Sequence, residues 1–164
     1  MQRTLLPLTV LISSTLALAA PVEMLNRDVT QDTVRETICT PGYTKTVRPS
    51  TNFTNGIKKK LMREASLDFD TKKGDFELDH IVSLSIGGHP RNLKNFALQR
   101  WEGVDGAKKK DRLEVKLQCL VCSGAVPLAS AQDAMWTDWQ AAYKEYGRLA
   151  CKRPRGLKSA DYGD

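Results

Sequence analysis

Apolar residues recur at helical spacing in the second half of this chain. Leu113, Leu117 and Leu120 fall at i, i+4 and i+7, which predicts a helix over about 107–121 with one buried face. Ala131, Met135, Trp139, Ala142 and Tyr146 recur in the same way and predict a last helix over about 128–146. In the middle, two short apolar stretches, 76–84 and 93–98, flank the turn-forming Gly87-Gly88-His89-Pro90. That is a hairpin signal with a loop longer than two residues. Earlier, 30–38 reads as a short helix from a threonine cap, stopped by Pro41-Gly42. Residues 43–47 alternate loosely, as a strand would, and 49–56 are turn-rich. Residues 57–66 read as a helix with Ile57, Leu61 and Ala65 on one face and Lys58, Lys59, Lys60 and Arg63 on the others. A polar loop follows over 68–75. The mixture of helices with a hairpin places the chain in the α+β class, without internal repeats.

The first residues change the count. Arg3 precedes an apolar run from Leu5 to Leu18, and Ala17-Leu18-Ala19 supplies a small-x-small site. This is the three-part pattern of a secretory signal peptide, with cleavage expected after Ala19. The run is short for a spanning helix, which needs roughly 20 apolar residues. The expected organisation is a signal peptide over 1–19, one domain over 20–151 and a basic flexible tail over 152–164. The mature chain is expected to be monomeric, outside the cytosol and free of membrane spans. Losing 1–19 removes one positive charge, Arg3, so the formal charge falls from +6 to +5. That balance suits a polyanionic partner. Lys58-Lys59-Lys60 and Lys108-Lys109-Lys110 are candidate phosphate contacts, or else two solvated helix faces.

Cys39, Cys119, Cys122 and Cys151 read as two disulfides in an exported chain, with three connectivities open. Cys119-x-x-Cys122 has zinc-ligand spacing, but Cys39 and Cys151 stand alone and offer no second pair. Asn52-Phe53-Thr54 is a glycosylation sequon.

Asp79-His80 is the most informative point for chemistry. Only two histidines occur, and this one adjoins a carboxylate in a short apolar strand. Histidine can take a proton from water near neutral pH, and a carboxylate holds hard divalent cations. Together they point to metal-assisted hydrolysis of a phosphodiester. Neighbours in a regular strand face opposite ways, so the two can share a site only where the strand ends or bulges. The other histidine, His89, reads as a loop residue in its turn. Glu77 and Asp79 share a strand face, but a glycosidase places its two acids across the scissile bond instead. Trp101 either stacks on a base or closes the core.

Asp79-His80-Ile81-Val82, Leu84, Gly87-Gly88 and Asn92-Leu93 together resemble the HNH nuclease core of the ββα-metal superfamily, over about 76–115. Flanking stretches are similar to small secreted HNH-type proteins: Thr37-Ile38-Cys39, Thr46-Val47-Arg48-Pro49, Thr54-Asn55-Gly56-Ile57-Lys58, Trp101-Glu102-Gly103, Lys110-Asp111-Arg112-Leu113-Glu114 and Val121-Cys122-Ser123-Gly124. The resemblance implies a hairpin-plus-helix core with extra packed helices, braced by disulfides. It implies a secreted metal-dependent endonuclease acting on DNA or RNA with Mg²⁺ or Mn²⁺. His80 would be the general base, Asp79 a metal ligand, and Asn92 the asparagine that braces the hairpin loop. Relatives supply a second ligand, histidine or asparagine, near the start of the following helix. Here that region has neither, and Asp111, Asn95, Asp105 or Glu114 could substitute. The resemblance also implies Cys39–Cys122, which leaves Cys119–Cys151. The other reading is a basic, disulfide-braced nucleic-acid-binding protein with weak or no catalysis.

Overall fold

A computed structural model describes residues 19–152. The expected signal segment lies outside the described residues except for Ala19, and the expected basic tail except for Lys152. The architecture is α+β. Helices α1 (Tyr43–Val47), α2 (Thr51–Glu64) and α3 (Phe69–Lys72) precede strands β1 (Phe76–His80) and β2 (Phe96–Arg100), and helices α4 (Ala107–Cys122) and α5 (Leu128–Tyr146) follow. The strands pair antiparallel, from Phe76 opposite Arg100 to His80 opposite Phe96.

The core forms where the helical pattern predicts. Leu113, Leu117 and Leu120 of α4 pack with Leu128, Ala131, Met135 and Ala142 of α5. Val82 and Ile86 of the hairpin loop, and Met24, Val29, Val34 and Ile38 from the N-terminal segment, complete it. On the other side α2 covers the hairpin through Phe53, whose ring meets Phe96 edge-on at 6.3 Å between centroids.

The N-terminal half departs from its pattern. Residues 31–39 form successive turns rather than a helix. Their threonine hydroxyls add bonds to backbone carbonyls: Thr33 Oγ1 donates to Asp28 O, Thr37 Oγ1 to Thr33 O and Thr40 Oγ1 to Arg35 O. Val34 and Ile38 are buried all the same. Residues 43–47 are helical, not extended, and the only sheet among the described residues has two strands, so no partner awaits them. Helix α2 begins earlier than its apolar face suggests, behind Pro49 and Ser50, and carries Gly56 in its interior. A glycine there costs about 1 kcal/mol. Packing of Phe53 on Phe96 offsets it.

The hairpin loop folds back sharply because of its glycines. Gly88 donates to Ser83 O at 2.8 Å, and a Cβ at Gly88 would lie 1.7 Å from Val82 O. Gly87 has φ +80°, with Val29 pressed against it. Asn26 N and His89 N then bond Gly87 O and Met24 O across to the N-terminal segment. Gly88→Ala is expected to cost about 3 kcal/mol, since backbone rather than a side-chain tip must give way. Urea unfolding of the variant measures it, and wild-type stability would show the loop to be freer than this.

Candidate active site

Strand β1 ends at His80, and there the strict alternation of faces lapses. Asp79 and His80 are both buried, at 2% and 4% exposure, and both line one cleft of about 290 Å³. The His80 ring lies against Phe96 at 4.4 Å. Its Nε2 is 3.2 Å from Pro90 O. A carbonyl only accepts, so this contact places the proton on Nε2 and the basic lone pair on Nδ1.

Asp79 is held from helix α4. Lys110 Nζ donates to Asp79 Oδ2 at 2.7 Å, to Glu114 Oε1 at 2.5 Å and to His80 O at 2.8 Å. Glu114 Oε2 accepts from Ser83 Oγ at 2.7 Å. Burial alone would push the Lys110 ammonium down; Glu114 and Asp79 outweigh that and hold it above the usual lysine range. Asp79 Oδ1 is buried, and among the described residues no donor reaches it. Leaving a buried acceptor unsatisfied costs roughly 1–3 kcal/mol.

Both asparagines tie down the hairpin loop, and Asn95 makes the more buried contacts. Asn95, expected as a possible metal ligand, is fully buried and braces the loop: its Oδ1 accepts from Val82 N, and its Nδ2 donates to Val82 O and His89 O. Asn92, expected as the brace, caps Lys94 N and donates to Glu23 O, tying the loop to the N-terminal segment. Both asparagines stand in the same polar stretch, and only the start of β2 at Phe96 settles which one turns inward. His89 serves its turn, accepting from Arg91 N and Asn92 N.

The side chains of each lysine run diverge and take separate partners. Successive helical residues diverge by about 100°. Lys58 donates to Lys73 O and Phe76 O, Lys59 lies over Phe69, and Lys60 pairs with Glu64. Lys108 pairs with Glu102, Lys109 reaches Val104 O beneath Trp139 and Tyr143, and Lys110 is buried. A second cleft, of about 310 Å³, opens between α2 and the hairpin. Arg48, Lys58, Glu77 and Trp101 line it, and His80 lines it as well as the first. Trp101 is half-buried at this surface and is not part of the main core.

For the divalent cation implied by the resemblance, the relevant oxygen is the buried Asp79 Oδ1, which no donor among the described residues reaches. Asp111 does not line the cleft, whereas the exposed Asp105 does. Among the described residues no three His, Cys, Asp or Glu side chains converge as a ligand cage. Magnesium-type ions keep several waters and borrow substrate oxygens, so one carboxylate oxygen beside Asp105 fits a weakly held ion and not a dedicated cage.

Cys39 pairs with Cys122, and Cys119 with Cys151. These are the pairs the resemblance implied, and the zinc spacing of Cys119-x-x-Cys122 is divided between two bridges. Two disulfides indicate an oxidising compartment. Among the described residues no helix is long and apolar enough to cross a membrane. No protein-family model, curated protein or solved structure matches the chain. Its likeness to the HNH family rests on the residues quoted above.

Proposed function

We propose that this chain is a secreted endonuclease of the HNH type, hydrolysing phosphodiester bonds of DNA or RNA at the end of β1. The observation that carries the reading is the pairing at one cleft of a backbone-anchored imidazole, His80, with Asp79, whose Oδ1 meets no donor among the described residues. The hairpin followed by helix α4 supplies the ββα frame. His80 Nδ1 takes a proton from water as the water oxygen bonds to phosphorus and the ester P–O bond breaks. Asp79 would hold the cation, which when bound would neutralise charge building on the phosphoryl oxygens. Asn95 and Pro90 O fix the loop and the ring. Arg48 and Trp101, across the second cleft from His80, hold the strand by phosphate contact and stacking. Arg48→Gln is therefore expected to raise KM and to lower the salt slope of nucleic-acid binding by about 1. An unchanged slope would move the strand elsewhere.

Export follows from the signal pattern and the two disulfides. Ala20 N donates to Asp133 Oδ1 at 2.8 Å. Cleavage after Ala19 would turn that contact into an ammonium–carboxylate pair.

One observation favours the binding-protein reading: the α4 side chain that reaches Asp79 is a lysine, not a histidine or asparagine ligand. Digestion of plasmid and of RNA with Mg²⁺, Mn²⁺ or EDTA separates the two. Cleavage that EDTA stops supports the nuclease; nucleic acid retained but intact in every condition supports the binding protein.

A further inference from the structure

The part played by Lys110 goes beyond the residue roles proposed above. Each of its ammonium protons is directed inward, to Asp79, Glu114 and the His80 carbonyl. With 3% of its side chain exposed, it can neither meet a phosphate nor donate a proton without dismantling that arrangement. Its position links the two halves of the site: α4, through Glu114 and Ser83, to the strand end that carries Asp79 and His80.

We infer that Lys110 is a built-in cation of the site, its ammonium backed by Glu114 and seated on Asp79 Oδ2, so that only Oδ1 is left for an exchangeable divalent ion. Two carboxylates and one ammonium carry a net negative charge together, so the cluster still attracts a cation. It does so less than the bare carboxylate pair would. A purely structural ion cluster would gain from satisfying every buried oxygen, because an unmet acceptor costs free energy. This one leaves Asp79 Oδ1 buried and unmet among the described residues, on a residue that lines the cleft with His80. Carboxylates that ligate metals are themselves hydrogen-bonded, and that bond fixes which oxygen faces the ion. Lys110 is in this sense a positioning residue that also sets the charge of the site.

The inference rests on Asp79 as the metal-holding group, and Mn²⁺ calorimetry separates the two claims. Lys110→Ala bares both carboxylates and is expected to bind Mn²⁺ about tenfold or more tighter than wild type. Glu114→Gln keeps the shape but makes the cluster neutral, and is expected to bind about tenfold more weakly. Should Lys110→Ala be unfolded alone, Mn²⁺ is expected to refold it; failure to refold would count against the inference. Equal affinity in wild type, Lys110→Ala and Glu114→Gln would overturn it. If Asp79→Ala abolished binding in that same series, the metal reading of Asp79 would stand while the role of Lys110 fell. If wild type bound no Mn²⁺ and Lys110→Ala did, the reading of the wild-type site would fail while the fixed cation stood.

Discussion

His80→Ala is expected to lower the rate of phosphodiester cleavage by about 10²–10⁴-fold, the usual loss when a general base is removed. The geometry makes the imidazole hard to replace. Its Nε2 is tied to Pro90 O, which fixes the tautomer, and its ring is packed on Phe96. His80 lines both clefts. Mn²⁺ binding is expected to survive in this variant, since Asp79 and its Lys110 partner remain. Single-turnover assays on protein shown to be folded and disulfide-bonded provide the measurement. Unchanged turnover in such protein would remove His80 from the chemistry.

Loss of the Cys39–Cys122 bridge carries the largest expected effect on stability. It joins residues 83 apart in sequence and ties the N-terminal turns to the end of α4. On the chain-entropy view such a closure is worth about 4–5 kcal/mol, against about 3–4 kcal/mol for Cys119–Cys151. Domains of this size are stable by only about 5–15 kcal/mol. The N-terminal segment depends on the bridge because its turns make few regular hydrogen bonds of their own. Around the bridge the turns over 31–39 are held mainly by Val34 and Ile38 in the core, by Gln118 Nε2 on Ile38 O and by Gln31 Oε1, which accepts from Leu128 N. Cys39→Ala/Cys122→Ala is expected to melt roughly 10–20 °C lower. Calorimetry decides, and a melting point within a few degrees of wild type would show the bridge to be dispensable.

How much of this was legible depended on whether side chains or periodicity decided the structure. Helices α4 and α5 and the hairpin were readable because burial enforces their spacing. The turns over 31–39 were not, because their apolar spacing also fits a helix and the threonine hydroxyl bonds to the backbone leave no mark on it. In the site, Asp79-His80 stood out as a dipeptide. That Asn95 turns inward depended on a strand start that the pattern misplaced by three residues. Lys110 was the clearest miss. Set in a run of three lysines it read as a phosphate contact or as part of a solvated face. A signal was present: it lies three residues before Leu113, four before Glu114 and seven before Leu117, on the buried face of α4. A lysine there needs a carboxylate, and Glu114 at i+4 was the partner in view.

The central claim is that the strand end at Asp79 and His80 cuts phosphodiester bonds. It is tested most directly by single-turnover cleavage of one labelled oligonucleotide, in Mn²⁺, by wild type, Asp79→Ala and His80→Ala side by side. The expected result is that wild type cuts and each folded variant is slower by about 100-fold or more. A wild-type protein that leaves DNA and RNA intact, or variants that cut at the wild-type rate, would contradict it.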